Sequence, residues 1–347
     1  MRAVAWGLTD VGLQREHNED SFVVLKEYDL YVVADGMGGH RAGDVASKLA
    51  TETITEFFRS TAQDDVTWPF HFDANLSEEE NRLLTGIRVA NRQIFERSTR
   101  SREYHGMGTT VVGAMFSPRK STMYIGHVGD SRCYRVRGSQ IQLLTRDHSL
   151  FNDYLLAMPD LTEEQRRELP KNVITRALGM QDQVAVDLQH DDSQPGDVYV
   201  LCSDGLSGMV TDEEILDIVQ KAWPRNMHEA PKNLIERANA RGGEDNVTAV
   251  VIAIEDDLLE STGQNRAIAE DVPVMSSRSA NAPTEVPPPG STDPAPALQK
   301  KTDSEFTEEP TLPALDLRKP LKDIGDDETI PALDLAKELA RLKKPTE

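Results

Sequence analysis

The chain has 347 residues, 38 Lys+Arg against 59 Asp+Glu, a formal net charge of -21 and only 38% hydrophobic residues. An acidic balance without a basic stripe excludes nucleic-acid binding through phosphates, and no apolar run is long enough to span a bilayer. The shortage of apolar residues is local: Asp256 to Glu347 holds 12 of the 19 prolines, 19 acidic and 11 basic residues, and Phe306 as its single aromatic. Such a segment cannot bury enough surface to fold alone and is expected to be a disordered tail. Residues 1–255 keep 40 acidic and 27 basic residues and are long enough for a sizeable core. The opening MRAVAWGLTD meets Gly7 and Asp10 too soon for a signal peptide. Cys133 and Cys202 each sit in an apolar strand-like run, so they are expected to be buried thiols in a reducing cytoplasm.

In chain order, the first 255 residues alternate short β-rich runs with a few helices. Ala3–Leu8, Phe22–Leu25 and Leu30–Ala34 read as strands separated by polar turns. Asp44–Phe58 reads as a helix, with Val45, Leu49, Ile54 and Phe57 at roughly helical spacing. Glu78–Ser98 is a second helix, opened by Ser77 with Glu80 three residues on, a capping box. Strands return at Thr109–Phe116, Met123–Val128, Cys133–Val136 and Ile141–Leu144. Leu150–Leu169 is polar and helical, interrupted at Pro159. Val184–Leu188 and Val198–Cys202 are strands, Thr211 or Asp212 caps a helix to about Lys221, Asn233–Ala240 is another, and Val247–Ile254 is the last strand. Short links between strands imply antiparallel pairing. The expected class is α+β: a central sandwich of two antiparallel sheets flanked by helices.

The chemistry is suggested by acids at strand ends. Asp35-Gly36, Asp130, Asp204-Gly205, Asp245-Asn246 and Glu19-Asp20 each adjoin an apolar run. One Asp-Gly alone is a common turn. Several strand-end carboxylates meeting at one place would repel unless cations neutralised them. Carboxylates, a backbone carbonyl and water suit hard ions such as Mg²⁺ or Mn²⁺, and the sequence has no Cys/His cluster to favour zinc. Two such ions about 3.5–4 Å apart can lower the pKa of a water and hold substrate oxygens, the usual device for phosphate-ester hydrolysis.

These residues carry a resemblance. Arg15-Glu16-His17-Asn18-Glu19-Asp20, Asp35-Gly36-Met37-Gly38-Gly39, Gly108-Thr109-Thr110, Gly129-Asp130-Ser131-Arg132, Asp147-His148-Ser149, Ser203-Asp204-Gly205 and Asp245-Asn246 stand in one order. Together they resemble the metal-dependent phosphatases of the PPM (protein phosphatase 2C) family. The Val173–Gly179 stretch VITRALG and the Asp-Gly-Met-Gly-Gly run are similar to its bacterial branch. The resemblance implies a β-sandwich with a metal centre at one end and hydrolysis of phosphoserine and phosphothreonine on proteins by metal-activated water. It implies two Mn²⁺ or Mg²⁺ ions per chain. Asp35 would bridge both, Asp204 and Asp245 would hold the first, and the Gly36 carbonyl the second, with Glu19 and Asp20 acting mainly through water. Asp130 with Asp204 resembles a third, weaker site. Arg15 would clamp the phosphate, which suits a planar, permanently charged fork; the competing reading is an ion pair with a neighbouring Glu. Eukaryotic relatives often place His where Met37 stands here. His40 is the nearest substitute general acid, but a loop histidine is more often structural, and Met37 is most simply packing. Residues 149–172 match the family's variable flap, a substrate-selecting segment or a plain surface helix pair.

The tail holds a repeat: Thr311–Leu317, TLPALDL, recurs as Thr329–Leu335, TIPALDL, each with acids upstream. Thr311 and Thr329 resemble sites phosphorylated by bacterial Ser/Thr kinases and read by phosphothreonine-binding domains. A phosphate-free docking peptide and a local duplication without a partner are the alternatives. The leading expectation is a monomeric, cytoplasmic protein phosphatase that opposes a kinase. A phosphatase-fold scaffold would be marked by loss of a metal aspartate, and none is lost; a hydrolase of another phosphoester shares the same metal chemistry.

Overall fold

A computed structural model describes residues 1–38, 42–61, 72–170 and 173–256. His40, part of the 149–172 segment and the tail with Thr311 and Thr329 lie outside the described residues.

Two antiparallel sheets are stacked between helices. The first sheet has the order β1–β11–β10–β7–β8, built from β1 (Arg2–Asp10), β7 (Arg132–Arg137), β8 (Gln140–Leu143), β10 (Val198–Cys202) and β11 (Val247–Glu255). The second has the order β2–β3–β5–β6–β9, from β2 (Asp20–Leu25), β3 (Leu30–Met37), β5 (Val111–Ser117), β6 (Thr122–Val128) and β9 (Asp187–Asp192), with the short β4 (Gly108–Thr109) paired to the end of β3. Helices α1 (Ala42–Ser60) and α2 (Glu78–Arg100) cover the second sheet. The first is covered by α6 (Asp212–Ala222) and α7 (Ala230–Ala240). The helix–sheet–sheet–helix layering matches the expected α+β class.

The central strands are buried on both faces, which is why they read as continuous apolar runs rather than alternating ones. In β3, Tyr31 and Val33 point between the sheets, while Leu30, Val32 and Ala34 point to α1 and α2. In β11, Val250, Ile252 and Ile254 point inward and Val247, Ala249, Val251 and Ala253 meet α6 and α7. Each fully buried Val, Leu or Ile contributes about 1.5–3 kcal/mol of transfer free energy, so the three apolar layers dominate stability. Cys133 faces the inter-sheet layer and Cys202 the helix layer. The thiols are free and lie on opposite faces of adjacent strands, so they cannot bridge.

Ser77 with Glu80 closes the expected capping box of α2, and Thr211, one of the two caps expected for α6, closes another with Glu214. The elements differ from the sequence reading in several places. The ladder expected at Thr109–Phe116 is interrupted at Thr110: its N–H donates to the Asp35 carbonyl (2.8 Å), but the Asp35 N–H goes to Thr110 Oγ1 (3.1 Å) rather than to its carbonyl. The strand expected at Val184–Leu188 starts at Asp187, because its pairing begins at His127↔Asp187. The last helix begins at Ala230, with Pro231 in its first turn, where a missing N–H costs nothing. A one-turn helix, α5 (Asp204–Ser207), follows β10. Among the described residues, no helix is long and apolar enough to cross a membrane.

Candidate active site

Strand ends place the acids. Asp20 opens β2 and Asp35 lies directly opposite it near the end of β3. Like charges at such a position are destabilising. Asp204 leaves β10 at the start of α5, Asp245 precedes β11, and Asp130 sits on the crossing from β6 to β7. Asp35 is held well above its ordinary pKa by burial first, then by repulsion from Asp20, Asp204, Asp130 and Asp245. The contacts gather them at one end of the sandwich: Asp20 bonds Ser203 beside Asp204, Gly205 packs on Asp245, and Thr110 ties Asp35 to Ser131 beside Asp130. Burial, followed by the charge of Asp204, pushes Asp130 to about 8, and burial raises Asp20 to about 7. Asp204 is raised by burial and by Asp245, and its carboxyl stands within hydrogen-bonding reach of Asp35.

One oxygen of Asp20 is fully engaged: Oδ2 accepts from Ser203 Oγ (2.7 Å) and Thr248 Oγ1 (2.6 Å), both from the other sheet. The side chain is 5% exposed. Glu19 lies alongside, its backbone N–H bonded to Asn246 Oδ1 (2.8 Å) and its carbonyl accepting from Gly36 N–H (3.1 Å). At Gly36 an added Cβ would come within 2.6 Å of the Glu19 carbonyl oxygen, so only glycine permits this approach. Arg15 is half-exposed at the rim, its Nη2 2.9 Å from Asp245 Oδ2; its ion partner is this aspartate, not a neighbouring Glu. Met37 packs over Gly108, its register partner.

The donors fit divalent cations on an observation independent of sequence motifs. Asp20 Oδ1, Asp130 Oδ1 and Asp204 Oδ1 are buried and accept no hydrogen bond. Buried carboxyl oxygens without partners are costly to ionise unless positive charge meets them. An all-oxygen set suits Mg²⁺ or Mn²⁺.

Residues 14–238 match the protein phosphatase 2C family. The chain belongs to that family. It is 37% identical over 253 residues to the serine/threonine phosphatase stp of Listeria welshimeri, covering 70% of this chain and 93% of the relative. The crystal structure of the Mycobacterium tuberculosis serine/threonine phosphatase PstP/Ppp aligns with TM-score 0.62 and 33% identity, over 74% of this chain and all of that one. A structure of the PstP catalytic domain in complex with two manganese ions aligns with TM-score 0.60 and 32% identity, over 73% of this chain and 99% of that one.

Within this protein phosphatase 2C fold, the supporting residues are the ones a sequence hides. Ser203, Thr248 and Asn246 orient Asp20 and Glu19, and Thr110 accepts from Asp35 N–H (3.1 Å) through Oγ1. Thr110 and Asn246 were visible only as parts of motifs without assigned roles. A second cluster, His127, His148 and Asp187, corrects the expectation that histidines do not gather: its members come from three separate segments and lie within 4.8 Å of one another. The contacts of His148 oppose its serving as a ligand. Gly129 N–H donates to His148 Nδ1 (3.0 Å), and Nε2 is taken up by Asp187 Oδ2 (3.3 Å), an acceptor, and Arg176 Nη1 (3.0 Å), a donor. That leaves His148 no lone pair for a cation.

The 149–172 segment has α3 (Leu150–Ala157), capped by Ser149, and α4 (Glu163–Glu168), capped by Thr162. Its apolar cluster of Leu150, Tyr154 and Val173 is separate from the main layers.

Proposed function

We propose that this protein is a metal-dependent protein-serine/threonine phosphatase, with residues 1–255 as its catalytic unit and Mn²⁺ or Mg²⁺ as its cofactor, two ions per chain and a third held more weakly. The observation that carries the reading is the convergence of Asp20, Asp35, Asp130, Asp204 and Asp245, with three of their oxygens unpartnered. The relatives named serine/threonine phosphatases and the two manganese ions of PstP support it.

When bound, the cations supply the charge that acidifies a water and screens the phosphate oxygens. The residues do the rest. Asp35 is assigned between both ions, Asp204 and Asp245 on the first, the Gly36 carbonyl on the second with Glu19 and Asp20, and Asp130 with Asp204 on the third. Since Asp20 Oδ2 is occupied by two hydroxyls, only Oδ1 is left to face the ions or their waters. Arg15, half-exposed at the rim, would exchange its pairing with Asp245 for a fork onto the phosphate. Outside the described residues, the repeated Thr311 and Thr329 motifs are assigned to phosphorylation by the opposing kinase and to a phosphothreonine-binding partner. The protein is read as a cytoplasmic monomer, and 149–172 as its substrate-facing flap.

Release of phosphate from a phosphothreonine peptide tests the reading. Turnover is expected with Mn²⁺, lost in EDTA and lost in Asp204→Asn; no turnover by folded, Mn²⁺-loaded protein refutes it.

A further inference from the structure

The Asp130 carboxyl has no hydrogen bond on Oδ1, so its aim depends on its backbone. Gly129, just before it, is gripped twice by one residue. Its N–H donates to His148 Nδ1 (3.0 Å), and its carbonyl accepts from the His148 N–H (2.9 Å). Gly129 has φ +104°, and an added Cβ would lie 2.6 Å from Thr110 Cβ, so the peptide is packed tightly against Thr110. On the far side of Asp130, Ser131 Oγ bonds Thr110 Oγ1 (2.7 Å), and Thr110 holds the backbone of Asp35. His148 itself is 2% exposed. Its ring stacks on His127 (centroids 4.8 Å, 12°), and its Nε2 lies between Asp187 Oδ2 (3.3 Å) and Arg176 Nη1 (3.0 Å), which itself binds Asp187 Oδ1 (2.6 Å).

We propose that His148 is a positioning residue: with Nδ1 unprotonated, it locks the Gly129–Asp130 peptide through Gly129 N–H and so aims Asp130 at the cation cluster. Of the two groups at Nε2 only Asp187 can accept, so it takes the ring proton while Arg176 holds Asp187 in place, in the manner of outer partners that orient metal ligands. A histidine kept only to fill space would be replaced equally well by any side chain of similar size. This role demands an acceptor attached to Cγ, which asparagine supplies and leucine lacks.

The inference rests on the reading of Asp130 as a cation ligand, and the test separates the two. Full-length wild type, His148→Asn, His148→Leu and Asp130→Asn are titrated with Mn²⁺ alone by calorimetry, with bound Mn²⁺ counted by electron paramagnetic resonance. Asp130→Asn is expected to remove the weakest binding step. His148→Leu is expected to weaken that step about tenfold, the usual effect of losing an outer partner. His148→Asn is expected to stay within about twofold of wild type, because its Oδ1 replaces the lost acceptor. A ¹⁵N spectrum of the wild-type histidines is expected to show His148 Nδ1 bare and Nε2 protonated at neutral pH. A leucine isotherm like wild type beside an altered Asp130→Asn, an asparagine isotherm as weak as leucine's, or a protonated Nδ1 overturns the role of His148. An unchanged Asp130→Asn isotherm overturns the Asp130 reading and this inference with it. If the leucine variant fails to fold, the asparagine isotherm and the wild-type spectrum still decide.

Discussion

Replacing Asp20 by Asn should stabilise the chelated protein while impairing the loaded enzyme. Asp20 is buried, faces Asp35 across the β2–β3 ladder, and is pushed from 3.8 to about 7 by burial ahead of its neighbours' charge. At 1.36 kcal/mol per unit, a shift of about three units costs the folded state roughly 4 kcal/mol at pH 7.5. The sign follows from proton binding. Between the unfolded and folded pKa values the folded state holds the extra proton, so stability is greatest below about pH 4 and falls as pH rises to about 7. Asparagine carries no charge and its oxygen can still accept from Ser203 and Thr248. Some repulsion among Asp35, Asp130 and Asp204 remains, so a net gain of about 2 kcal/mol is expected, or roughly 4–8 °C in Tm for a unit of this size. Differential scanning calorimetry in EDTA at pH 7.5 measures it, and at pH 5.5 the gain should shrink to about half. With saturating Mn²⁺ the order should reverse, because the wild type gains more from the ion. A Tm in EDTA at pH 7.5 equal to or below wild type would refute the account of Asp20 as a repelled carboxylate.

Arg15→Ala should lower kcat/KM on a phosphothreonine peptide by about 10–100-fold, the value of a lost charge-assisted pair, with Arg15→Lys intermediate; steady-state kinetics showing an unchanged value would count against the phosphate clamp. Gly129→Ala should destabilise the chain by at least about 1–3 kcal/mol, since its positive φ is strained for any L side chain and its Cβ would strike Thr110; thermal melts read this directly. Truncation after Glu255 should leave the rate on a small phosphopeptide within about twofold, because β11 closes the first sheet there; a large fall would place the tail in the folded enzyme.

Much of the fold was legible because its signals are local. Val-rich runs marked doubly buried strands, and Ser77 and Thr211 marked helix starts. What failed was decided by distant partners. Nothing near Thr110 announces that its hydroxyl would take the Asp35 N–H in place of its carbonyl, and nothing near Asp187 says that the ladder with β6 starts there. The same holds in the site. Asp35, Asp130, Asp204 and Asp245 were suggested by their strand-end places and family motifs, and the structure brings them together with Asp20. Ser203, which with Thr248 holds Asp20 from across the sandwich, stood in a motif with no role attached, and Thr248 gave no signal, because a threonine in a strand is ordinary. The pairing of His127 with His148 was equally hidden, since 20 residues separate a strand from a loop that fold back onto each other.

The acids are divided between layers. Asp20 and Asp35 belong to one sheet, Asp204 and Asp245 leave the other, and Asp130 lies on the connection between them. Asp20 already reaches across through Ser203 and Thr248. A cation held by both sets is therefore a clasp at the open end of the sandwich, and its binding is linked to how well the sheets stack. Occupancy at a hundred times Kd would add about 2.7 kcal/mol against separation of the layers. Conversely, a cavity cut far from the site, such as Met123→Ala between the sheets, would loosen the clasp and weaken cation affinity without touching a ligand.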